Sequence, residues 1–210
     1  MSIVNAFQLV LIRYYKGKKT YQLLKLTFKS TDALIKANEA YMIHSLAQYC
    51  SNFEGSYAEV GVYQGASAKI ICEAKQDKAL FLFDTFEGLP EPGPNDRGLI
   101  KGQFKSCQNQ VSTLLHCYKN IHIIPGFFPD SAQNIQEKTF CFVHLDTDIY
   151  ESTLHCLEYF YKRMTKGGII LTHDYAKNIT GVKLAYKHFF EDKPENIIEL
   201  TDTQCMLIKQ

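Results

Sequence analysis

From Tyr57 onward, short runs of strand-forming residues alternate with stretches of helical spacing. That alternation leaves few folds open. Strand, crossover helix and strand pack in one hand and build a parallel sheet with helices on both faces. The apolar runs predict strands at 57–62, 79–84, 121–124, 140–145 and 168–172. Helical spacing falls at 67–75, 105–118, 131–136, 150–164 and 181–191, with an earlier helix from an N-cap at Ser30-Thr-Asp32 through Tyr49. Two last strands, near 197–200 and 205–208, have only the turn Thr201-Asp-Thr203 between them, so the final strand should run antiparallel. The expected fold is α/β, a seven-stranded and mostly parallel sheet.

In such sheets ligands bind beyond the carboxyl ends of the strands. The run Phe140–Leu145 ends there in two carboxylates, Asp146 and Asp148. They could hold a metal, move a proton or cap the next helix. Asp148-x-x-Glu151 has the form of a capping box, so base and cap both remain open for Asp148. His144, inside the apolar run, reads as a hydrogen-bonded core histidine.

The first strand carries the clearest ligand signal. It contains Glu59, turns through Gly61 and Gly65, and enters a helix at Ser67. Glycines let the backbone approach a ligand and take positive φ, and a helix start offers free amides to an anion. The spacing is neither Gly-x-Gly-x-x-Gly nor a Walker loop. Glu59 would repel a pyrophosphate and suit an ammonium, so a ligand bearing ammonium and carboxylate, such as the methionine part of S-adenosylmethionine, fits. Asp84, 23 residues beyond Gly61 at the next strand end, could accept from ribose hydroxyls. The Pro- and Gly-rich segment 85–102 reads as a lid or substrate loop.

Five blocks occur in order: Glu-Val-Gly-Val-Tyr-Gln-Gly-Ala-Ser (59–67), Asp-Thr-Phe-Glu-Gly-Leu-Pro (84–90), Pro-Gly-Phe-Phe-Pro-Asp-Ser (125–131), Leu-Asp-Thr-Asp-Ile-Tyr-Glu-Ser-Thr (145–153) and His-Asp-Tyr (173–175). Together they resemble the macrocin O-methyltransferase family, over about residues 55–192; the glycine turn is also similar to that of catechol O-methyltransferases. The resemblance implies a Rossmann-like class I methyltransferase fold and transfer of a methyl group from S-adenosylmethionine to a hydroxyl of a sugar or glycosylated natural product. It places Glu59, Gly61, Tyr63 and Ser67 around the methionine part of the cofactor, Asp84 at the ribose, and Phe128 with Asp130 near the adenine. It implies Mg²⁺ on Asp146, His173 and Asp174, and Asp148 as the general base, with Asp146 and Asp148 the catalytic pair. His173 departs from the family, where an aspartate is frequent. Imidazole is a softer ligand than Mg²⁺ prefers, so either Asp146 and Asp174 keep Mg²⁺ with waters, or the site takes Mn²⁺, or His173 stands behind the ligands. The alternatives are a methyltransferase for a catechol, phenol or amine, and a non-catalytic binding protein on the same fold.

Composition excludes other classes. A net charge of +1 carries no nucleic-acid footprint. Seven cysteines without a C-x-x-C pair fit reduced thiols of a cytoplasmic enzyme rather than disulfides or zinc. The charge is uneven: residues 1–36 hold seven Lys/Arg against Asp32 alone, following an apolar patch at 3–12 that is too short to span a bilayer. We therefore expect a helical arm or lid at 1–54 and the methyltransferase domain at 55–210. The arm would pack on its own domain or on a partner in a homo-oligomer, or residues 1–29 would make a peripheral membrane or anionic-substrate contact.

Overall fold

The computed structural model describes residues 2–177 and 180–210; Met1, the first residue of the expected arm, lies outside them. Among these residues, seven strands form one sheet: β1 (Ser56–Val60), β2 (Leu80–Asp84), β3 (Ile121–Pro125), β4 (Phe140–Leu145), β5 (Met164–Thr172), β6 (Ile198–Glu199) and β7 (Cys205–Ile208). Their order is β3-β2-β1-β4-β5-β7-β6, with β1 to β5 parallel and β7 antiparallel to both neighbours. Every residue of β4 is buried, as a strand covered on both faces requires.

The chain builds outward from β1 to β3 and then returns to place β4 on the other side of β1. The connections leaving β1 and β4 therefore diverge, and the crevice between them is the binding position of an open α/β sheet. Asp146 continues β4 past its end, donating its amide to Val60 O at 2.9 Å.

Among the described residues, seven α-helices surround the sheet: α1 (Ile3–Lys16), α2 (Lys18–Ser30), α3 (Ala37–Cys50), α4 (Ala66–Cys72), α5 (Gln108–Leu115), α6 (Tyr150–Tyr161) and α7 (Thr180–Phe189). Leu9, Ile12 and Leu24 of the first two share one buried cluster with Ile43 and Ala47 of α3 and with the sheet residues Tyr57, Leu82 and Phe142.

Several boundaries differ from expectation. The hydroxyls of Ser30 and Thr31 do not start a helix; they bond back to Thr27 O at 3.1 and 2.9 Å and finish α2. The next helix begins at Ala37, where Glu39 accepts from the Lys36 amide at 2.7 Å. The 150–164 helix stops at Tyr161 because Met164 already pairs with Phe140 as the start of β5. The 131–136 helix is a 3₁₀ turn at Asp130–Ile135, and α5 keeps only the middle of the 105–118 stretch.

Candidate active site

A cavity of about 340 Å³ opens at the crevice between β1 and β4. Gly61, Tyr63, Ser67, Asp84, Phe128, Asp146, Asp148, His173 and Asp174 all line it. Glu59 and Asp130 do not. Glu59 is fully buried beneath the turn, with Oε1 2.8 Å from His144 Nδ1, and burial raises its carboxyl despite that partner. Asp130 opens the 3₁₀ turn and faces solvent. His144 is the paired core histidine its apolar strand suggested.

The glycine turn is shaped by close approach. Gly61 has φ +86, and a Cβ on it would lie 1.8 Å from the carbonyl oxygen of Asp146. Only hydrogen fits there, so the two loops that define the crevice press directly on each other. Asp84 locks the turn from the other side: Oδ2 accepts from the amides of Val62 and Tyr63 at 2.7 and 2.8 Å, and Oδ1 from Phe86 at 2.7 Å. Three of a carboxylate's roughly four acceptor sites are thus taken, so a ligand hydroxyl meets one free site unless the turn yields an amide.

One ligand atom from each of Asp146, His173 and Asp174 lies within 4.8 Å of the others. Asp148 and Asp174 both have φ +60 and sit beside Asp146. Burial first, and then repulsion from Asp146 and Asp174, raises the Asp148 carboxyl well above its usual range. Burial and Asp146 push Asp174 up to about 6. Repulsion between carboxylates this close is what a bound divalent cation would offset. Two carboxylates and an imidazole are a fitting donor set, with the nitrogen favouring Mn²⁺ or a later metal over Mg²⁺.

His173 has a partner that the motifs did not announce. Its Nδ1 is 3.3 Å from Asp146 Oδ1, and its Nε2 is 3.2 Å from Glu39 Oε1, on α3. Burial alone would lower the imidazole pKa, but the two carboxylates raise it well above its usual value. Glu39 also accepts from the Thr203 hydroxyl at 2.8 Å, so the amino-terminal arm contributes a side chain behind the site. The clue in the sequence is an acid on the stripe Glu39, Ile43, Ala47, Cys50, which is otherwise apolar and buried.

Burial raises the Glu39 carboxyl, but His173, the Lys36 amide and Thr203 outweigh it and hold the group at about 2. A carboxyl depressed on folding stabilises above its unfolded pKa, and loses that contribution as pH falls through the folded one. In chelator, Glu39→Gln should therefore melt below wild type by roughly 4–8 °C, for about 2 kcal/mol in a chain of this size. That gap should be full above about pH 4.5 and close toward about pH 2. A gap that ignores pH would show that the charge is not what stabilises.

The helix-cap reading of Asp148 fails, because another residue does that work. The first amide of α6, Tyr150 N, donates to Asp96 Oδ1 at 2.8 Å, and the other Asp96 oxygen takes Gly93 N at 2.9 Å. Asp96 is 5% exposed and comes from the loop after β2. That loop lines the cavity through Thr85, Gly88, Leu89 and Pro90, and Asp96 pins its far limb to α6. Asp96→Ala should cost about 1–2 kcal/mol, the worth of a lost cap. Limited proteolysis should then cut within 85–102 faster; an unchanged cleavage rate would show the loop is held elsewhere.

Residues 42–209 match the family model of the macrocin O-methyltransferases. The chain belongs to that family. Over 152 residues it is 28% identical to 8-demethyl-8-(2,3-dimethoxy-alpha-L-rhamnosyl)-tetracenomycin-C 4'-O-methyltransferase of Streptomyces olivaceus, covering 61% of this chain and 58% of the relative. It is 24% identical to demethyldecarbamoylnovobiocin O-methyltransferase of Streptomyces niveus, over 60% of this chain and 54% of that protein. The match thus spans little more than half the length of these relatives. In fold, the macrocin-family chain is similar to the O-methyltransferase NovP (TM-score 0.75, 20% identity, 85% of this chain and 82% of that one). It is also similar to the calicheamicin methyltransferase CalS11 (TM-score 0.69, 16% identity, 91% and 93%). The expected class I methyltransferase architecture is therefore correct.

Proposed function

We propose that this protein transfers a methyl group from S-adenosylmethionine to a hydroxyl of a sugar or glycosylated natural product, with a divalent cation at Asp146 and Asp174. The observation that carries the reading is convergence: the glycine turn with Asp84 and the acidic cluster line one cavity. The name of one relative, an O-methyltransferase of a rhamnosyl-tetracenomycin, supports the acceptor class.

Methyl transfer needs the acceptor oxygen in line with the breaking S–CH₃ bond, so the work of the protein is chiefly positioning. Gly61, Tyr63 and Ser67 receive the methionine part, and Asp84 takes a ribose hydroxyl at its remaining acceptor site. Phe128 lines the cavity beside Phe127 and offers an aromatic wall for the adenine. A divalent ion held by Asp146 and Asp174 supplies Lewis-acid polarisation that lowers the pKa of the acceptor hydroxyl. His173 is positioned by Glu39, and joining the ligand set requires it to lose its proton.

Asp148 is the base. It has no capping duty, lines the cavity and stands beside Asp146 and Asp174, within reach of an acceptor hydroxyl brought to that cluster. As the S–C bond breaks and the O–C bond forms, the hydroxyl proton passes to the Asp148 carboxylate.

Calorimetric titration with S-adenosylhomocysteine tests the cofactor, and labelled S-adenosylmethionine offered to glycosides and separately to catechols and amines tests the acceptor. Absence of cofactor binding ends the proposal. Turnover of aromatic acceptors alone transfers it to the catechol class, and binding without turnover of any acceptor points to a non-catalytic protein.

A further inference from the structure

Helix α1 is turned the wrong way round for a helix covering its own domain. Its buried face carries the polar residues Asn5 and Gln8 beside Leu9 and Ile12. The two polar side chains accept from the Ala37 and Asn38 amides at 3.0 and 3.1 Å, capping α3. Its apolar stripe points to solvent. Ile3 is 90% exposed, Tyr14 80%, Phe7 65% and Val10 62%, with Val4, Leu11 and Tyr15 alongside. Positions 3, 7, 10 and 14 recur at helical spacing, so they form one continuous face.

The surrounding charge has one sign. Residues 2–31 contain Arg13, Lys16, Lys18, Lys19, Lys25 and Lys29 and no acid. Among the described residues, none of these six is ion-paired with a carboxylate. Arg13 and Lys25 lie over the Tyr21 ring, and Lys16 over Tyr41. A second copy seated on this face through a two-fold axis would bring both basic sets together, which disfavours that occupant.

We propose that the outer face of α1, with the basic residues of α1 and α2, docks on a phospholipid surface bearing anionic headgroups. An apolar stripe with aromatic residues and flanking Lys/Arg is the composition of a helix lying in the membrane interface. The helix has 14 residues and no helix among the described residues is long and apolar enough to cross a membrane, so it lies on the surface. Residues 33–35, directly after α2, line the cavity, which links the docked arm to the site. This inference is independent of the methyl-transfer reading, since docking needs neither cofactor nor acceptor.

The test is co-sedimentation of the full chain with vesicles of phosphatidylcholine alone and of phosphatidylcholine mixed with phosphatidylglycerol. Wild type should bind the anionic mixture and release it as salt is raised, because headgroup attraction is screened. The variant Phe7→Ser/Val10→Ser/Tyr14→Ser alters only exposed side chains and should keep its melting temperature. Its partition coefficient should fall on the order of tenfold or more. Lys18→Gln/Lys19→Gln should bind the anionic mixture more weakly while leaving the apolar stripe intact. Failure of wild type to bind anionic vesicles overturns the proposal, as does equal binding by the triple variant. A dimer in gel filtration that the triple variant splits, with no vesicle binding, would also overturn it by making the face an interface between copies.

Discussion

Asp146→Asn should lower turnover on the order of a thousandfold, about 4 kcal/mol of transition-state stabilisation. It should also weaken Mn²⁺ or Mg²⁺ binding at least about tenfold. The substitution keeps the shape of the side chain and removes its charge, and the backbone bond from Asp146 N to Val60 O remains available. Affinity for S-adenosylhomocysteine should stay within about twofold, because in the proposed reading the glycine turn and Asp84, not the Asp146 carboxylate, hold the cofactor. Cation binding can be followed by titration calorimetry without any acceptor, so loss of the metal and loss of chemistry are read separately. Two results would contradict the metal assignment: an active Asp146→Asn protein, or a wild-type enzyme fully active in EDTA.

Gly61→Ala should be the most destabilising single methyl group that can be added to the crevice. A Cβ there would sit 1.8 Å from Asp146 O and 2.8 Å from its carbonyl carbon, both backbone atoms that no rotamer change can clear. The backbone φ of +86 adds the strain of a left-handed alanine. Such overlaps belong to the rare class of substitutions costing about 4 kcal/mol or more, or roughly 10 °C in melting temperature at this chain length. Gly98 provides the control. Its φ is +83, but nothing lies within 4 Å of its added Cβ. Gly98→Ala should therefore cost only about 1 kcal/mol. Comparable melting temperatures for the two variants would show that φ alone, and not contact with the Asp146 loop, explains Gly61.

The two predictions probe one contact from both sides. Asp146 carries its carboxylate on a backbone that is also the ceiling over Gly61, so the glycine turn and the acidic cluster cannot shift independently. A packed interior transmits such displacements rather than absorbing them. Relaxation of the Gly61 turn would accordingly disturb both halves of the site.

What could be read along the chain was whatever depends on local pattern. Strand and helix periodicity, the missing helix between the last two strands, the glycine turn and the acid pair after Phe140–Leu145 are all contiguous, and the cavity draws on most of the residues they supplied. Boundaries drifted where a distant partner intervened, as at Met164, which Phe140 recruits into β5.

By itself, then, the sequence determined the α/β architecture and the residue types gathered beyond its strand ends, while the strand order that makes a switch point between β1 and β4 came from the structure. Only the tertiary structure decided what each acid does. Asp96 lies 54 positions from the amide it caps, and Glu39 more than 130 from the histidine it holds. Neither pairing leaves a spacing to detect, because hydrogen bonds and ion pairs depend on distances in space that folding alone creates. The same holds for α1: its helical period is plain in the sequence, but which face turns outward was settled by two side chains finding the free amides of α3.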